Sequence, residues 1–145
     1  MLDKTFIKII CICSFITGAI LGIIPLIPVL FWTAFLIEMF LVAPFMIIYM
    51  NRLKLIENID MGKCLSIGAI SGGVSFLGFS LVFFPLAFII NLIFKTDSFL
   101  WIKVLFNNFG FVIPMIIFTA LLSSLLNMFS GFLTMYFYAY FGKTK

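Results

Sequence analysis

Long stretches without charge alternate with short polar breaks along this chain, and the breaks set its organisation. Residues 9–37, 39–51, 64–94 and 104–142 carry no Asp, Glu, Lys or Arg. A helix needs about 20 residues to cross the hydrocarbon core of a bilayer. Residues 9–51, interrupted only by Glu38, therefore hold two crossings, and Gly22, Pro25 and Pro28 mark the one place to turn. Proline removes a backbone donor and disfavours helix at the residue before it, so two prolines three apart make a tight connection. The pattern predicts helices over residues 6–24 and 29–50, then a hydrophilic loop containing Arg52, Lys54, Glu57, Asp60 and Lys63.

The third run, 64–94, would measure about 46 Å as one helix, longer than a straight crossing. Tilt, protrusion or a kink at Pro85 would absorb the excess. The last run is long for one span and just long enough for two. The positive-inside rule favours one. With four crossings and the N-terminus inside, Lys4, Lys8, Arg52, Lys54, Lys63, Lys143 and Lys145 are cytoplasmic, and only Lys95 and Lys103 lie outside. A fifth crossing, turning near Ser123 and Ser124, would move Lys143 and Lys145 outside and erase most of that bias. Trp32 and Trp101 then fall at the outer interface and Tyr49, Tyr136, Tyr138 and Tyr140 toward the inner one, as aromatic belts require. The expectation is an all-α polytopic integral membrane protein: one domain over residues 1–145, four transmembrane helices (6–24, 29–50, 64–94, 112–141), both termini cytoplasmic, and an interfacial helix over 98–108.

Composition agrees. Apolar residues make up 65% of the chain and charged residues 10%, against roughly 45–50% and 25% in soluble domains. The net charge of +4 comes from cations at the ends of apolar runs, where they orient membrane segments. No clustered basic face of the kind nucleic acid needs is present. Lys4 and Lys8 before an apolar run imitate a signal peptide, but the following residues stay apolar through Pro28 and beyond, which fits a retained first helix. The cell membrane is the expected location, and lipid is the first partner.

Chemistry-bearing residues are few. There is no histidine, which removes the commonest metal ligand and the usual neutral-pH proton shuttle. Cys11 and Cys13 point about 200° apart on a helix and form no chelating pair; with Cys64 they read as small buried hydrophobes. No metal, cofactor or enzymatic constellation is expected.

Glu38 is the exception. An acidic residue at a helix centre costs about 2.5–3.5 kcal/mol on insertion scales and is a functional-site hypothesis by default. Arg52 is roughly 21 Å away along the same helix, out of reach. The remaining candidate partners are Asn127, Ser75 and Ser80, at similar depth. Three readings stay open: a neutral hydrogen-bonded structural acid, a proton- or cation-linked transport site, or half of a pair completed by another subunit.

Two small-residue patterns complete the picture. Gly68 and Gly72 are four apart, as are Ala69 and Gly73, and Ser14, Gly18 and Gly22 repeat that spacing in the first span. Small residues so spaced let backbones approach, which predicts close packing of spans one and three, within a subunit or between two. In the last span, Ala120, Ser124, Asn127, Gly131, Thr134 and Tyr138 fall on one stripe, either a packing seam or one wall of a hydrated pathway. Two functions follow. One is a transporter or ion-coupled carrier using Glu38, Asn127 and Ser124. The other is a non-catalytic membrane subunit or scaffold, homo-oligomeric or bound to other subunits, assembling through Gly18, Gly22, Gly68, Gly72 and Gly73.

Overall fold

A computed structural model describes residues 4–53, 55, 60–94 and 107–142. These residues form five α-helices and two 3-10 turns, with no strand among them: α1 (Lys4–Leu21), turns at Ile24–Leu26 and Pro28–Leu30, α2 (Phe31–Phe40), α3 (Val42–Arg52), α4 (Met61–Phe94) and α5 (Phe109–Gly142). Three helical stretches, Lys4–Leu26, Met61–Ile93 and Gly110–Tyr138, are long and apolar enough to cross a membrane. The pair Pro28–Phe40 and Val42–Arg52 makes a fourth if counted as one span bent by 56°. This is an all-helical protein of membrane character.

The connection after α1 forms where the prolines predict it. Pro25 and Pro28 each sit at the start of a 3-10 turn, a position where the missing N–H has no helical partner to lose. The last apolar run is one helix, with Ser123 and Ser124 inside it. The expected single helix over 29–50 is instead two, parted at Leu41. The expected interfacial helix over 98–108 lies almost entirely outside the described residues.

α4 is the central element, with α1 on one flank and α5 on the other. Glycines set both contacts. A Cβ built on Gly18 would collide with the Ser75 carbonyl oxygen, and one on Gly22 would come within 2.7 Å of Phe79 O. The two registers advance together, so α1 and α4 run parallel. From the other side, Gly78 lies against Phe15 O, 2.5 Å from its hypothetical Cβ. Gly68 and Gly72 face the opposite flank. Their Cβ positions fall 2.5 Å from Asn127 O and 2.6 Å from Ser123 O, while Gly131 packs on Cys64 O, so α4 and α5 are antiparallel. Spans one and three thus meet through Gly18, Gly22 and Gly78, whereas Gly68 and Gly72 serve the last span. In lipid, where no hydrophobic force draws helices together, such backbone proximity is a main source of association.

Two apolar clusters fill the bundle. One gathers Met39, Phe76, Phe79, Phe83, Phe84, Ala87 and Ala120, and the other Ile10, Val42, Met46, Ile47, Met50, Cys64 and Ile67. Along α4, Ser75 falls between them, after Ile67 and before Phe76, and Glu38, Ser123 and Asn127 join it in a polar layer. All are buried.

Gly72 and Gly73 are neighbours in sequence but not in constraint: the nearest atom to a Cβ on Gly73 is 3.7 Å away, an ordinary contact. Gly72→Ala is expected to destabilise the protein by about 1–3 kcal/mol, the range for an overfilled core. Gly73→Ala should stay within about 0.5 kcal/mol of the parent. Unfolding in mixed micelles compares them, and equal stabilities would contradict the helix register.

Candidate functional site

Pro44 lies three residues beyond the break at Leu41. In a continuous helix, Pro44 would donate to Phe40 O; it has no N–H, and its ring crowds that carbonyl. Leu41 N still bonds Ile37 O at 2.8 Å, and Phe45 N bonds Leu41 O at 3.1 Å. Between them the helical ladder is interrupted, leaving backbone groups unpaired at membrane depth. Such groups cost several kcal/mol each in hydrocarbon unless protein satisfies them.

Asn127 of α5 supplies what is missing. Its Oδ1 accepts from Ala43 N at 2.9 Å. Its Nδ2 donates to Glu38 O at 2.9 Å and to Met39 O at 3.0 Å. Those are the two carbonyls that Val42 and Ala43 would bond in an unbroken helix. One side-chain amide therefore stands in for a missing peptide pairing, donor for donor and acceptor for acceptor. Nδ2 also lies 3.1 Å from Ser123 O and 3.3 Å from Ser123 Oγ, and Ser123 Oγ donates to Gly72 O at 3.1 Å. The clamp is anchored to both α4 and α5.

Glu38 is the last buried polar residue before the break, with no exposed surface. Ser75 Oγ donates to its Oε2 at 3.1 Å. Its Oε1 is buried and has no hydrogen-bond partner among the described residues. Gly18 leaves the room for this pair, because a side chain there would strike Ser75. Toward the start of α2 the site is closed by contacting rings. Phe31 stacks on Phe35 at 6.0 Å, Phe35 meets Phe76 edge-on at 6.5 Å, and Phe76, Phe79, Phe83 and Phe84 continue the chain at 5.5–5.7 Å.

Of the sequence candidates, Glu38, Ser75 and Asn127 come together, although Asn127 binds the Glu38 backbone and leaves the carboxyl alone. Ser80 does not join them; its hydroxyl, like that of Ser14, is buried without a partner among the described residues. Ser124 lies apart, half-buried, donating to Ala69 O at 2.7 Å. It lines an apolar groove of about 350 Å³ between α4 and α5, with Ala69, Gly73 and Ala120. The stripe on α5 packs at Ala120, Asn127 and Gly131, which are buried, and turns outward by Tyr138. Ser123 and Pro44 went unremarked as site residues. Pro44 was detectable, as the proline six residues beyond the buried acid; Ser123 carried no signal beyond its place four residues before Asn127.

Cys11, Cys13 and Cys64 are free thiols. No group of three His, Cys, Asp or Glu side chains assembles among the described residues. Comparison with protein-family models, curated proteins and solved structures yields no match.

If the Asn127 amide holds the bend, Asn127→Leu should let α2 and α3 straighten toward an ordinary proline kink. Spin labels at the exposed positions Val29 and Leu53 would then move apart, and pulsed EPR in nanodiscs reads that distance. A distribution unchanged from the parent would show that Pro44 alone sets the geometry.

Proposed function

We propose that this chain is a small ion-coupled carrier of the cell membrane, with four spans, cytoplasmic termini and Glu38 as the coupling site. The observation that carries the reading is the meeting of an unsatisfied, fully buried carboxyl oxygen with a broken helix. Irregular backbone at membrane depth is tolerated only where protein or a water-lined cavity receives it. Secondary carriers use this arrangement near the bilayer midplane, where interrupted helices form the ion site. A purely structural acid would be expected to have both oxygens paired, since an unmade hydrogen bond in a buried site costs about 1–3 kcal/mol. Glu38 keeps one oxygen open. Pairing with a cationic residue from another subunit fits less well, because the side chain has no surface for that residue to touch. No catalytic role is part of the proposal.

The second reading, a non-catalytic subunit, has one supporting observation. Gly18, Gly22, Gly68 and Gly72 are filled by the chain's own backbone, but Gly73 opens on the groove between α4 and α5. Homo-oligomers or complexes with other membrane subunits would assemble there, not through the other glycines.

Glu38→Gln keeps the size and the Ser75 bond while removing the titrating group. In proteoliposomes the variant should fold and insert normally yet lose ion-coupled flux at least tenfold. Undiminished flux would remove Glu38 from any carrier mechanism.

A further inference from the structure

Within the carrier reading, on which this step rests, we infer that the ion taken at Glu38 is a proton and that Asn127 excludes metal cations from the site. Hard cations bind through many oxygens, six or more for calcium-like sites, and interrupted membrane helices hold them with freed backbone carbonyls. The break here leaves Glu38 O, Met39 O and Phe40 O without their helical donors, and the first two are taken by Asn127 Nδ2. Their lone pairs face an N–H donor whose positive end repels a cation. Among the described residues, the one hydrogen bond made by the Glu38 carboxyl comes from the Ser75 hydroxyl, to Oε2.

Space points the same way. Gly18 is packed so closely on Ser75 that even a methyl group would strike the Ser75 backbone, and the Glu38 side chain has no exposed surface. A proton needs neither a ligand shell nor a void. It forms one O–H bond at Oε1, turning the carboxylate into a neutral acid, and returns to water when that bond breaks. No other redox or covalent change is involved.

No charged neighbour competes for this role. Among the described residues, α1, α4 and α5 bring Gly18, Ser75 and Asn127 to Glu38 and its backbone, none of them titratable. The titratable side chains of the packed helices lie elsewhere along them. Lys4, Lys8, Cys11 and Cys13 precede Gly18 by at least a turn, and Lys63 and Cys64 precede Ser75 by about 16 Å or more. Tyr136 and its neighbours follow Asn127 by about 13 Å or more, and Tyr49 and Arg52 lie toward the far end of α3.

The test uses the whole protein in liposomes and the infrared carboxyl band that Glu38→Gln abolishes. Its pH titration is recorded in choline buffer and again with sodium, lithium or potassium at constant ionic strength. The midpoint should not move with any of these cations. A tenfold rise in sodium that shifts it by about one unit, the result of one-for-one competition, overturns the inference while leaving the carrier reading intact. A Glu38 band that never titrates overturns both. Asn127→Asp replaces the guarding N–H groups with acceptors and should make the midpoint sodium-sensitive. A folded Asn127→Asp protein that stays insensitive would remove Asn127 as the source of the selectivity.

Discussion

Everything around the candidate site depends on a side-chain amide doing the work of a peptide bond. A helix in lipid is stable because it satisfies its own backbone, and Pro44 takes that self-sufficiency away from α2 and α3. The Asn127 amide makes up part of the loss from another helix, reaching Ala43 N, Glu38 O and Met39 O at once. Interhelical hydrogen bonds in membranes average only about 0.6 kcal/mol, because an unassembled helix finds other partners. Here the substitution is of a different kind. The groups concerned lost their helical partners at the break, so the amide stabilises a shape that the segment would not hold alone.

That shape requires α5 to stand very close to α4, and the small residues supply the distance. Gly68 and Gly72 admit the Asn127 backbone and side chain to within van der Waals limits, and Ser123 ties α5 to Gly72 O. On the other flank Gly18 lets α1 settle on Ser75, the residue that bonds the Glu38 carboxyl. The two glycine patterns thus fix the two halves of one polar layer: the backbone clamp on the α5 side and the carboxyl with its hydroxyl donor on the α1 side.

Much of this was legible in the sequence, and the missing part has a physical cause. Charge-free runs located the apolar helices, Pro25 and Pro28 located the first turn, and Glu38 stood out by its cost in lipid. Asn127 and Ser75 were recognisable as partners at similar depth. The break at Leu41 was not, because proline alone does not decide it: Pro85 and Pro114 lie inside continuous helices. At Pro44 a tertiary partner takes over Ala43 N, Glu38 O and Met39 O, and that partner is more than eighty residues downstream. Likewise, four-residue spacing says that a glycine face will pack but not against which helix. Gly68 and Gly72 turned to the last span, and the first span found Ser75, Phe79 and Gly78 instead.

A buried acid with one satisfied oxygen is an unstable compromise for structure alone. Had the fold needed only a hydrogen-bond acceptor for Ser75, a backbone carbonyl or an amide would have served at lower insertion cost. Among the described residues the hydroxyls of Ser14 and Ser80 are also buried without a partner, but neither adjoins a helix break. What distinguishes Glu38 is its place at the end of a helix segment whose last carbonyls are held from outside by α5. Any motion of α5 that releases Asn127 must also release the backbone of Glu38, and any tilt of α2 about Leu41 must carry the carboxyl relative to Ser75. The acid and the hinge are therefore mechanically one unit, which is what coupling an ion to a conformational change requires.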